Sequence, residues 1–482
     1  MKRTICILSV LAVLLLAVLA VGKSGVLSRK EETQEGERTL WVITEETVQD
    51  GMNSIARRVA DQFMEQQGNV TVKLDVLPNS QEERTAYLAQ IEKQAEEGNG
   101  PDVYLLPTND VLTVEHPEVY TYCRITPLFP DVEQAMHQGK FQDIGPYYEV
   151  DSQLEKDALA EKVMDSGIVN GRRYVIPLRY NLPVLYCSQE LLQEQNVDTA
   201  IFQASFDRWM ENAVEKGDRI LACGAEYPSL YVFGEILDYN QKKVLLSTEE
   251  VENYFSLFRN VESLVGSQYV HRGAPSLESS ILGGVMLYPA AVGKLNQAMD
   301  YAAISTMEGR QFSMVPIRAT SGEIVATVTY YAAVDAQCRT PELAYSFIRQ
   351  FLSEDAQWDR LCQENTEDSS YGMLEDSWPV RNAGAVPELW KNKKERLAVL
   401  EYSSQERYQA LEGFELPEKA IEELSMQIDR VLFPSPLARD FRTALYSLND
   451  SQQEGVPTTV SITEAAAQFM EILKARYPDF ST

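Results

Sequence analysis

An α/β chain, its sheet open and mostly parallel with helices on both faces, is predicted by three observations. Short apolar runs alternate with helical apolar faces over residues 39–106 in the order βαβαβ, and right-handed crossovers turn such a unit into a sheet of that kind. The length of 482 residues suits two or three packed units rather than one. Apolar residues make up 44% and charged ones 24%, a balance that excludes a disordered or polytopic membrane chain.

The elements follow in order. Lys2 and Arg3 precede an uncharged run from Thr4 to Gly22, the charged and apolar parts of an export signal. Ala20-Val21-Gly22 fits cleavage before Lys23, and the run is also long enough to stay as a membrane anchor, so residues 1–22 are a signal peptide or an anchor. Residues 17–24 imitate a phosphate-binding loop, but such a loop must follow a strand and open a helix, which an export signal does not provide. Residues 23–38 are polar and read as a tether. A strand over 39–44 then feeds a helix whose face is Met52, Ile55, Ala56, Val59, Ala60 and Phe63. Val70, Val72, Leu74 and Val76 alternate with polar residues as a second strand; Tyr87, Leu88, Ile91 and Ala95 mark a second helix, stopped by Gly98 and Gly100. Residues 102–106 form a third strand.

Ligands of open sheets bind beyond the carboxyl ends of the strands. The residues there are polar: Thr44, Glu45, Glu46 and Thr47, then Asn79 and Ser80, then Thr108, Asn109 and Asp110. Turns and helix caps favour the same residue types, so each has a purely structural alternative. Asn170-Gly171 between apolar runs predicts a tight hairpin leading into residues 175–186. Late in the chain, Ile421, Leu424, Ile428 and Val431 suggest one amphipathic helix, and Ala466, Phe469, Met470 and Leu473 another.

Chemistry is constrained by what is missing. Lys and Arg total 43 against 72 Asp and Glu, a net charge of −29, which disfavours nucleic acid as a partner. The three histidines, His116, His137 and His271, stand at no metal-ligand spacing, and no hydrolase nucleophile or zinc-protease motif occurs. No catalytic residue, metal site or cofactor is expected. Cys123, Cys187, Cys223, Cys338 and Cys362 are widely spaced and read as buried small hydrophobes rather than a disulfide framework.

The run from Asn170-Gly171 through Tyr174–Pro177 to Leu185-Tyr186 and Leu192 resembles a segment of the family 1 extracellular solute-binding proteins of ABC importers. Gly100-Pro101-Asp102-Val103, Phe312–Pro316, Ala332–Asp335, Thr340–Gln357 and Trp378-Pro379-Val380-Arg381 resemble further family segments in the same order, over roughly residues 39–480. The resemblance implies a two-lobe periplasmic-binding-protein type II architecture, each lobe a mostly parallel sheet flanked by helices, hinged near 177–181 around a central cleft. Lobe 1 would comprise 39–180 and 323–374, and lobe 2 181–322 and 375–482. It implies an extracytoplasmic, monomeric protein that captures a small solute, foremost a sugar or oligosaccharide, and delivers it to an ABC permease and its ATPase. A membrane-tethered sensor or scaffold and a carbohydrate-active hydrolase are the alternatives. No cysteine follows the signal, so lipid anchoring is not expected. Val292 stands where many sugar-binding relatives carry Trp.

Tyrosine offers a flat apolar ring and a hydroxyl, and the chain holds 24 Tyr against 16 Phe. The expected ligand-binding set is Glu45, Asn109 and Asp110 at the strand ends, with Tyr180, Asn181, Tyr231, Tyr288, Tyr331 and Trp378 from segments that the resemblance brings to the cleft. Arg179 is read instead as a partner for a surface acid.

Overall fold

The fold is that of a computed structural model describing residues 38–45, 52–78, 80–108, 111–116, 121–194, 200, 203–216, 230–269, 287–291, 302, 305, 309–357, 377–382, 418–448 and 460–481. The export signal, Asn109 and Asp110 lie outside them. Among the described residues no helix is long and apolar enough to cross a membrane.

β1 (Arg38–Glu45), α1 (Met52–Gln67), β2 (Val70–Leu77), α2 (Gln81–Glu96) and β3 (Val103–Pro107) follow the predicted order. β1 pairs in parallel with β2 on one side and β3 on the other. α1 forms because Ile55, Ala56, Val59, Ala60 and Phe63 fall on one stripe, and all five are buried against the sheet. Each large apolar side chain buried in this way contributes about 1.5–3 kcal/mol. Ser80 opens α2 by accepting the amide of Glu83 at 3.2 Å. α2 ends at Gly98, whose φ of +73° suits a residue without a Cβ.

α3 (Val132–His137) covers the same face of the sheet as α2, with Val132, Ala135 and Met136 buried. The hairpin forms as predicted: Asn170 and Gly171 have φ of +51° and +75°, joining two-residue strands at 168–169 and 172–173. β4 (Val175–Asn181) then belongs to the large sheet, whereas β5 (Pro183–Ser188) is the central strand of a second sheet. Asn181 turns the chain between them, its side-chain oxygen accepting the amide of Leu182 at 2.9 Å.

The second sheet is small and antiparallel: β6 (Leu287–Ala291) and β7 (Phe312–Pro316) flank β5. α4 (Phe206–Lys216) and α5 (Thr248–Tyr269) pack together on this side of the molecule. β8 (Val325–Val334) returns to the large sheet between β3 and β4, antiparallel to both. α6 (Pro341–Gln350) then packs on α1, with the rings of Phe63 and Phe347 edge to face at 5.4 Å.

β9 (Trp378–Pro379) adds to β4, α7 (Glu418–Ser425) places Ile421 and Leu424 in the first core, and β10 (Arg430–Leu432) pairs in parallel with β8. These segments were expected in lobe 2. The helix predicted through Ile428 and Val431 stops at Ser425, because the amides of Asp429 and Arg430 donate to the Ile324 carbonyl and the Asp429 carboxylate accepts the Ile324 amide at 2.9 Å. That pairing pulls the chain into strand geometry. α8 (Leu437–Tyr446) and α9 (Ile462–Arg476) return to the second core, where Phe441 and Phe469 pack at 5.2 Å.

The chain therefore passes between the sheets at 181–183, at 317–324 and at 433–436. The large sheet has a core on each face, and the small sheet shares the remaining core with α4, α5, α8 and α9.

Candidate functional site

The carboxyl ends of β1 and β3 lie near the early half of β8, where polar side chains are buried on both faces of the sheet, Glu45 and Tyr331 on one and Thr44 on the other. Glu45, the last residue of β1, is only 1% exposed. Arg84 from α2 meets its Oε1 at 2.8 Å, and the Leu128 amide donates to the same oxygen at 2.9 Å. Arg84 also donates to the Thr126 carbonyl at 3.2 Å, so one ion pair straps residues 126–128 across the strand end. Burial raises the Glu45 pKa, and the neighbouring guanidinium offsets part of that rise.

Tyr331 stands across Leu106 of β3, on the face that also carries Trp41 and Ile43. Its ring packs against Phe141 and Phe433 at 6.3 and 6.4 Å. Burial, and then the charge of Glu45, hold its hydroxyl well above the usual tyrosine range. The hydroxyls of Tyr331, Thr44 and Thr329 and the second carboxylate oxygen of Glu45 are all buried without a hydrogen-bond partner among the described residues. Such groups are costly unless something satisfies them, and each is a reason to look for function. β8 is irregular here, its register shifting between Val328 and Tyr331, while the Thr108 amide and hydroxyl donate to the Thr329 and Val328 carbonyls at 3.0 and 2.6 Å.

Of the expected set, then, Glu45 and Tyr331 come together. Tyr180 and Trp378 also meet, but as a cross-strand pair, 1% and 2% exposed, inside the first core. The Tyr180 hydroxyl bonds Ser425. Both faces of β4 are covered, so residues 175–180 are buried on each side of the sheet. Asn181 serves the crossing, and the Tyr231 hydroxyl accepts the Ser435 amide at 3.0 Å at another crossing. Tyr288 lies in β6 opposite Tyr186, its side chain outside the described residues. Arg179 is not at the surface: it is 1% exposed and reaches the Ala356 carbonyl. Arg84 carried no sequence signal, since one Arg among the polar residues of α2 looks like solvated surface.

Two surface hollows, of about 500 and 440 Å³, lie elsewhere. One is lined by Arg349 and Arg381, the other by Trp41, Lys73 and Arg339 at the amino end of the sheet. Neither adjoins Glu45 or Tyr331.

No protein-family model matches the chain, and no curated protein does. Solved structures do. A family 1 extracellular solute-binding protein from Alicyclobacillus acidocaldarius superposes with a TM-score of 0.53 at 12% identity, covering 92% of this chain and 99% of that one. The sugar-binding protein MalE from Xanthomonas citri gives 0.54 at 11% identity over 92% and 98%. This chain has the two-lobe periplasmic-binding-protein fold. The galacto-N-biose/lacto-N-biose I-binding protein of an ABC transporter from Bifidobacterium longum, in complex with lacto-N-biose, gives 0.52 at 11% over 93% and 100%. Coverage is nearly complete on both sides, so the likeness is one of the whole fold.

Proposed function

We propose that this chain is the extracytoplasmic solute-binding component of an ABC importer, taking a sugar or oligosaccharide between its lobes and passing it to a membrane permease. The observation that carries this reading is the group of buried hydroxyls and one carboxylate left uncommitted at the carboxyl end of the large sheet, the end where ligands of such sheets bind. Support also comes from the neighbours, whose names describe sugar-binding and ABC-transporter proteins. In this reading Asn109 and Asp110 after β3 meet the solute, and Glu45, strapped by Arg84, and Tyr331, 1% and 0% exposed, support the site from beneath. Lobe 1 holds the large sheet and lobe 2 the small one. Solute adds contacts only when the lobes meet, so binding shifts the population toward closure by its differential affinity for that state. No bond is broken.

The test is thermal unfolding of the full chain in detergent, followed by tryptophan fluorescence, against sugars, oligosaccharides, polyamines, amino acids, peptides and phosphate esters. Solute at 100 times its Kd adds about 2.7 kcal/mol and raises the midpoint by a few degrees. A rise confined to sugars, with the sugar recovered intact, supports the reading. Cleavage of the sugar, or no rise with any class, overturns it.

A further inference from the structure

Asp131 precedes α3 and serves two masters. Its Oδ1 caps the helix, accepting the Gln134 amide at 2.8 Å, so the residue is anchored in the first lobe, where Val132 and Met136 are buried. Its Oδ2 accepts the Tyr239 hydroxyl at 2.6 Å and the Tyr477 hydroxyl as well. Both tyrosines belong to the second lobe. Tyr239 sits in the turn between the short strands 237–238 and 243–244, and Tyr477 follows α9 in the second core. His137, on the same helix as the cap, stacks on Tyr239 with ring centroids 5.5 Å apart and planes 18° apart. Phe480 backs Tyr239 from the other side at 5.6 Å.

We propose that Asp131, Tyr239 and Tyr477 form a clasp between the lobes that sets their resting angle and responds to alkaline pH through the acids gathered around it. The clasp depends on the two-lobe fold alone, so it stands or falls separately from the identity of any solute. The acids come from both sides: Asp131 and Glu133 flank the start of α3, Glu235 and Asp238 approach from the second lobe, and Arg430 of β10 bridges Glu235 at 2.8 Å and Glu323 at 3.2 Å. Burial, then Asp131 and Glu235, push Glu133 up to about 8, with Arg430 acting against them. Burial likewise lowers the His137 pKa, and so favours the neutral ring on Tyr239. These surroundings favour the neutral form of Glu133. As the pH rises through about 8 it ionises against the acids of the opposite lobe, and the contact loosens.

The experiment places two dyes, through non-natural amino acids, at the exposed positions Glu97 and Glu471 of the full chain in detergent without added solute. Single-molecule energy transfer then reads the distance between lobes. The double variant Tyr239→Phe and Tyr477→Phe keeps both rings and removes both hydroxyls; its distance distribution should shift or broaden. Tyr345→Phe removes a tyrosine–carboxylate bond of 2.9 Å to Asp151 within one lobe, and should leave the distribution unchanged while lowering the melting midpoint. Asp131→Asn retains a cap and gives a second reading should the double variant not fold. Between pH 7 and 9 the parent distribution should broaden and that of Glu133→Gln should not. A parent distance preserved in the double variant, or in Asp131→Asn, overturns the clasp; a parent distribution flat with pH overturns its alkaline response.

Discussion

The two ends of the large sheet are finished differently. Just before the amino end of β3, Asp102 accepts the Trp41 amide at 2.8 Å, and inside β2, in register with Ile43, Asp75 takes the Trp41 indole N–H at 2.9 Å, the Tyr87 hydroxyl at 2.8 Å and Lys73 at 2.6 Å. Asp335 takes the Tyr104 hydroxyl at 2.8 Å. At the carboxyl end the hydroxyls of Thr44, Thr329 and Tyr331 and one oxygen of Glu45 are buried with no hydrogen bond among the described residues. Acids at the first end hold neighbouring strands and loops to the sheet. Those at the second keep hydrogen-bonding capacity in reserve, which in a doubly wound sheet is where a ligand is met. The hollow lined by Trp41 lies away from the uncommitted groups at Glu45 and Tyr331.

The comparison can be broken most forcefully at Glu45. Glu45→Ala leaves the Arg84 guanidinium buried beside an apolar gap and should cost about 3–5 kcal/mol, enough to prevent folding or lower the midpoint sharply. A loss below about 1 kcal/mol by urea unfolding would mean that the strap is not structural. A matched pair of hydroxyl deletions sharpens the contrast. Tyr104→Phe orphans a bond to a carboxylate and should cost about 1.5 kcal/mol. Tyr331→Phe removes a hydroxyl with no partner among the described residues and should change stability by less than about 0.5 kcal/mol. Equal costs would erase the difference between the ends.

The smallest effect is in pH dependence, and its sign differs between Asp75 and Glu45. The hydrogen bonds and Lys73 hold Asp75 below its ordinary value, although burial opposes them; its contribution is present above pH 3.8 and fades as the pH falls below that. Glu45 is held above its ordinary value, so the native state binds the extra proton and stability declines as the pH rises from 4.5. Asp75→Asn should therefore flatten the acidic limb of the midpoint-against-pH curve, and Glu45→Gln the limb above it. A common direction in both variants would contradict the assignment.

The βαβαβ unit was readable because each apolar stripe repeats at its own period, and the Asn170-Gly171 turn because only such residues take positive φ without strain. β9 and β10 were not, since strands of two and three residues have no period to detect. Glu45 followed from the rule about strand ends, and Tyr331 from the resemblance. Tyr180 and Trp378 were misplaced because a tyrosine or tryptophan beside a hinge looks the same in sequence whether it faces solvent or a second layer. Arg84 and the Asp131 clasp depend on partners 39 and over 100 positions away, which no local pattern encodes.

The place of β8 has a consequence for how the molecule is made. This strand is inserted between β3 and β4, yet it is synthesised only after the chain has gone out to the small sheet and back. Until residue 334 has emerged, β3 and β4 each present an unpaired edge, and the two halves of the first lobe have nothing to join them. An N-terminal fragment ending before β8 should therefore be sticky rather than folded. During biogenesis the growing chain would depend on chaperones to keep those edges apart until their shared neighbour arrives.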